Sequence, residues 1–95
     1  MTPDELRHLS ADSLHALPPL LRALWHDAHG DWEAAHNIAQ DIATPEGARM
    51  HAYLHRKEGD AWNAGYWYRR AGQPVFTGSL DDEWLMLAET FQASR

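Results

Sequence analysis

Two Gly-Asp steps, Gly30-Asp31 and Gly59-Asp60, stand 29 residues apart, and each opens the same short phrase. The first runs Gly30-Asp31-Trp32-Glu33-Ala34-Ala35 and the second Gly59-Asp60-Ala61-Trp62-Asn63-Ala64. Each places a small residue five positions after the glycine. The chemistry is that of a helix reversal. Glycine tolerates the left-handed backbone that ends one helix. Aspartate accepts the orphan N–H groups of the next helix, and alanine lets the two helices approach closely. A chain of 95 residues that repeats this phrase folds as paired helices.

The remaining punctuation extends the same pattern. Thr44-Pro45 reads as an N-cap followed by proline at the first helical position, starting a helix that runs to about Glu58. Asp60 caps the next, which continues through the aromatic stretch to Ala71 before Gly72 and Pro74 stop it. Ahead of these, Pro18-Pro19 opens a helix ending at Gly30, and Asp31 begins one to about Ile42. Thr2-Pro3-Asp4-Glu5 starts a short N-terminal helix, and Asp12 or Ser13 nucleates a further turn. Ser79 with Asp82 forms a capping-box pattern before a last helix whose apolar stripe is Leu80, Trp84, Leu87, Ala88 and Phe91. No segment alternates with period two, and Val75-Phe76-Thr77 reads as an extended link. The expectation is one all-α domain over residues 1–95, with hairpins at about 19–43 and 44–72 and a capping helix at about 79–93.

Composition narrows the function. Five Trp, three Tyr and two Phe supply large buried areas to a thin core, and with no cysteine there are neither disulfides nor thiolate metal sites. No apolar run reaches the ~18 residues of a membrane span, and Met1–Glu5 lacks the basic-then-apolar order of a secretory signal, so a cytoplasmic protein is expected. The net charge of −6 argues against nucleic-acid binding. Between Glu46 and Gly72, however, five bases face three acids, a locally basic hairpin in an acidic chain.

Around the Gly-Asp turns the chain resembles the tetratricopeptide and Sel1-like repeats. Ala52, Gly59-Asp60, Ala64, Tyr68 and Ala71 sit in register with that pattern, as do Ala23, Gly30-Asp31-Trp32 and Ala35, so the likeness spans residues 19–74. It implies two antiparallel hairpins, a right-handed α-solenoid fragment, and a protein-interaction role. The period of 29 is shorter than the roughly 34 of the tetratricopeptide unit. His55 takes the place of the usual aromatic and His51 that of an aliphatic, and Pro74 arrives two residues early. The stretch His51-Ala52-Tyr53-Leu54-His55-Arg56-Lys57-Glu58-Gly59-Asp60 through Tyr66-Trp67-Tyr68-Arg69-Arg70-Ala71-Gly72 also looks like a family of short uncharacterised bacterial proteins, which implies no function.

Two sets of side chains are candidates for chemistry. Arg49, Tyr53, Arg56, Trp67, Arg69 and Arg70 could form a cationic, aromatic groove on the second hairpin, suited to an acidic peptide or protein partner or to a carboxylate-bearing small molecule. Trp67 is expected to point outward, one position off the Ala64, Tyr68, Ala71 stripe. His51 and His55, four apart on one helical face, could share a divalent metal ion with His36 across the hairpin link, with Glu58 nearby. The same register also suits buried structural histidines bonded to a tyrosine or carboxylate. His26 and His29 make a weaker pair. The glutamate of a His-Glu-x-x-His motif is replaced by Ala52, and the serines lack a nucleophile elbow, so no residue is assigned a catalytic role. The expected function is a small helical adaptor, with self-association into a homodimer covering exposed repeat ends. The alternative is a histidine-based metal-binding protein.

Overall fold

The caps at Thr2, Asp31, Thr44, Asp60 and Ser79 are made, and the described residues fold into six α-helices. The computed structural model describes residues 1–93. Helix α1 spans Pro3–Arg7, α2 Pro19–Ala28, α3 Trp32–Gln40, α4 Pro45–Lys57, α5 Ala61–Ala71 and α6 Leu80–Ala93, with a 3-10 turn at Ala11–Ala16. The Thr2 hydroxyl and the Glu5 carboxylate close a reciprocal capping box on α1. Asp31 accepts from the Ala34 N–H at 3.0 Å, Thr44 from Gly47 at 3.1 Å, Asp60 from Asn63 at 3.2 Å and Ser79 from Asp82 at 3.0 Å. Gly30 and Gly59 carry φ of 82° and 89°, left-handed values that a side chain resists. The chain therefore reverses at both Gly-Asp steps, and α2 packs on α3 as α4 packs on α5. Helix α3 stops at Gln40, two residues before the expected Ile42. Among the described residues there is no strand, and 75–77 link α5 to α6 without regular structure.

Between the pairs, α3 lies against α4, and Gly47 makes that link tight. A Cβ at this position would fall 2.1 Å from the Ile42 carbonyl oxygen, so only glycine lets the link cross the first turn of α4. Helix α6 returns across α2 and α4, and α1 closes on α2 and α6. The core they enclose is built from Leu6, Leu21, Leu24, Met50, Leu54, Trp84, Leu87 and Phe91. The Trp84 indole donates to the Leu24 carbonyl at 3.0 Å, which sets the seat of α6. Ala52, Ala64 and Tyr68 make a smaller cluster at the α4–α5 contact, the small residues standing where the helices meet.

Two buried carboxylates hold the elements in register. Glu83 of α6, 1% exposed, accepts from Arg56 of α4 at 2.9 Å and from the Tyr68 hydroxyl of α5. Asp27 of α2, 3% exposed, accepts from the Tyr53 hydroxyl at 2.7 Å and from Lys57 at 2.9 Å, both on α4. Burial and these carboxylates push both tyrosine hydroxyls well above the ordinary phenol range. Each charge is paired and hydrogen-bonded, the condition under which a carboxylate survives burial. No helix among the described residues is long and apolar enough to cross a membrane.

Candidate metal centre

The α3–α4 contact decides what the histidines can do. Trp32, the first residue of α3, donates its indole N–H to the Leu54 carbonyl of α4 at 2.7 Å. That bond fixes the rotation of α3, and the same indole stacks on His36 one turn later, with ring centroids 4.8 Å apart. His36 is thereby aimed at α4, where His51 and His55 lie one turn apart on a single face. It meets both edge-on, at 4.6 and 5.3 Å between centroids. His51 is stacked against His55 at 4.8 Å and against Trp67 of α5 at 3.9 Å. One ring nitrogen from each of His36, His51 and His55 lies within 4.8 Å of the other two.

Hydrogen bonding separates the three rings. His55 Nδ1 lies 2.6 Å from Glu58 Oε1. With the carboxylate accepting from Nδ1–H, the lone pair of His55 is on Nε2. This is the arrangement in which a carboxylate orients an imidazole for a metal. His51 is 6% exposed, and neither it nor His36 makes a hydrogen bond among the described residues, but no fully buried side-chain nitrogen there lacks a partner, so the open ring nitrogens keep contact with solvent. Burial, with the neighbouring imidazoles adding to it, lowers the His51 pKa to about 4. Burial and His55 likewise lower that of His36, against an opposing pull from Glu58. Both rings are therefore neutral at pH 7, the state that offers a lone pair to a metal.

A second group adjoins the first. His55, Glu58 and Asp60 also place donor atoms within 4.8 Å of one another at the turn between α4 and α5. Asp60, however, is occupied by Asn63, whose side-chain amide donates at 2.6 Å and whose backbone N–H caps α5. Those bonds hold its carboxyl below the usual range. Glu58 and Asp60 thus act from behind His55.

The six residues of the expected cationic groove do not share one surface. Tyr53 is 2% exposed and points to Asp27, while Arg56 is bonded to Glu83 and to the Gly78 carbonyl. Arg49 reaches the Met86 sulfur at 3.4 Å, again toward α6. These three occupy the opposite side of α4 from His51. Trp67 is half-buried, with its ring stacked on His51, and Arg69 and Arg70 remain exposed on α5. His29 stacks on Trp25, with its Nε2 2.8 Å from the Arg7 carbonyl oxygen, so it ties α2 to α1.

Two members of the centre lacked a distinct signal in the sequence. Trp32 was legible as part of the turn but not as the residue that orients His36. Trp67 was legible as an aromatic, but its direction depends on what α4 sets opposite it. Comparison of the chain with protein-family models, with curated proteins and with solved structures returned no match.

Proposed function

We propose that this protein is a small helical metal-binding protein whose site is His36, His51 and His55, with Glu58 positioning His55. The observation that carries the reading is the convergence of three imidazole nitrogens within 4.8 Å, contributed by two helices. Zn²⁺ binds imidazole nitrogen at about 2.0–2.1 Å, which sets tetrahedral donors about 3.4 Å apart. The rings therefore need inward shifts of about 1 Å, within reach of χ rotations at the half-buried His36 and His55. Three imidazole donors without thiolates suit Zn²⁺, Co²⁺, Ni²⁺ or Cu²⁺ rather than the hard cations Mg²⁺ and Ca²⁺. Three protein donors leave a coordination position for another ligand.

Calorimetric titration of Zn²⁺ into tag-free protein tests this directly. One ion per chain is expected, with His51→Ala or His36→Ala weakening binding at least about 100-fold and Glu58→Gln about 10–100-fold. Zn²⁺ at 100 times its dissociation constant should stabilise the fold by about 2.7 kcal/mol. Protein that gains no stability from Zn²⁺, Co²⁺, Ni²⁺ or Cu²⁺ at pH 7.5 would end the reading.

The outer face of α5 supports a second reading, in which the two helix pairs form a right-handed solenoid fragment of tetratricopeptide type that docks an acidic peptide. Trp62 is 76% exposed and lies parallel to Tyr66 at 6.4 Å, while the Arg70 guanidinium sits 5.8 Å from the Tyr66 ring. With exposed Arg69 these residues make an aromatic and cationic strip without Tyr53 or Arg56. A fluorescent glutamate-rich peptide should bind at low salt and lose affinity as salt rises. Arg69→Glu with Arg70→Glu should abolish that binding while helicity is retained, and peptide binding indifferent to the double substitution sinks this surface.

A further inference from the structure

A cavity of about 300 Å³ opens beside the histidine cluster, between the end of α3, the 41–44 link, the start of α4 and the last turn of α5. Ligand sites for small molecules span roughly 300–1,000 Å³, so this one suits a compact occupant. It shares His51 and Trp67 with the metal centre, and Ala39, Ala43 and Ala48 give it a small apolar lining. Arg70 is the one lining residue with a permanent charge. Its guanidinium lies 5.3 Å from the Trp67 ring and donates to the Tyr66 hydroxyl at 3.0 Å, its one hydrogen bond among the described residues. The head is therefore oriented by two aromatic rings, with four of its five N–H donors unspent.

A guanidinium held this way matches a carboxylate, which it can engage through two parallel hydrogen bonds. The first turn of α4, which reaches the same cavity through Thr44 and Pro45, adds the positive end of a helix dipole. One cation balances one negative charge. A phosphate dianion would lack the second base it needs, and an apolar neutral molecule would leave Arg70 unused. A peptide does not fit the volume.

We infer that this cavity binds a small organic acid, its carboxylate paired with Arg70 and its apolar body lying between Trp67 and the alanine lining, next to the metal centre. The inference goes beyond metal binding and stands on the cavity's own residues.

Benzoate is a suitable probe, with benzamide as its neutral counterpart of the same shape. In chelator-treated protein, calorimetry should show one benzoate per chain and benzamide at least about tenfold weaker. Arg70→Gln should weaken benzoate at least about tenfold. Ala43→Leu, at an exposed position that keeps the fold intact, should do the same by filling the cavity. Absence of saturable benzoate binding overturns the inference, as does equal binding of benzamide or indifference to both substitutions. Zn²⁺ titrated into the same proteins separates the two readings. Benzoate binding without Zn²⁺ binding upholds the cavity and ends the metal site, and Zn²⁺ binding without benzoate does the reverse.

Discussion

His51 is the residue on which the chemistry turns. Its ring loses most of its water in a stack between His55 and Trp67, though no side-chain nitrogen among the described residues is both fully buried and unpartnered. Adding a proton there costs more still, so the folded chain holds His51 at a pKa of about 4, against 6.5 when unexposed to neighbours. Below pH 6.5 the unfolded chain takes up a proton that the folded chain refuses. Metal-free protein should therefore keep its full stability from this group above pH 6.5 and lose it as the pH falls toward 4. The bound on the loss is about 3 kcal/mol, and His36 contributes with the same sign. Urea unfolding at pH 7.5 and pH 4.5 measures it. His51→Phe keeps a stacked ring without the titration and should flatten the pH dependence. A slope unchanged in that variant would show that this imidazole does not govern acid unfolding. The candidate ligands themselves were readable from the sequence, His51 and His55 from their spacing and His36 from its place across the link. Their lack of hydrogen bonds was not readable, because it depends on which side chains fail to arrive.

At the scale of the helix, local rules and tertiary contact pull in opposite directions at one position. Glycine within a helix is about 1 kcal/mol worse than alanine, so Gly47→Ala should stabilise α4 on propensity alone. The Ile42 carbonyl oxygen lies where that methyl group would go, and it belongs to backbone that cannot step aside cheaply. Gly47→Ala should instead lower stability by about 1–3 kcal/mol, read from the thermal midpoint, and should weaken Zn²⁺ binding by displacing α3 from α4. Asp60→Ala offers the contrasting case. It removes the cap on α5 and should cost about 1 kcal/mol, with a smaller effect on the metal because Asp60 is bonded to Asn63. The caps are where the sequence is most legible, since glycine, aspartate, threonine and serine act on backbone within three residues of themselves. Arg56 and Tyr53 show the opposite. Both lie on α4 among residues that read as surface, yet their partners Glu83 and Asp27 come from other helices, 27 and 26 residues away. Nothing local announces such a pairing, and a groove drawn from local sequence included both residues.

Across the whole molecule, the histidine cluster is only as well placed as α3 and α4, and Glu83 fixes α4 against α5 and α6. Its carboxylate links Arg56 of α4 to Tyr68 of α5 from its own place on α6, beneath the α4–α5 contact. Removing one partner of a buried ion pair costs about 3–5 kcal/mol, because the guanidinium is left without its counter-charge. Domains of this size have about 5–15 kcal/mol in total, so Glu83→Ala should bring the fold close to its threshold. Glu83 makes no contact with the histidines, which makes the variant a test of linkage rather than of ligation. If Zn²⁺ binds the folded chain alone, excess metal should return about 2.7 kcal/mol to Glu83→Ala at 100 times the dissociation constant. The double variant Glu83→Ala, His51→Ala should gain nothing from the same metal. Thermal melts of the unsubstituted chain, Glu83→Ala, His51→Ala and the double variant, with and without Zn²⁺, decide the matter. Equal rescue of the single and double variants would mean that the ion acts elsewhere on the chain. Rescue confined to proteins with His51 intact would tie metal binding to the packing of α3, α4 and α5, and would show the centre to be a structural clasp as well as a site.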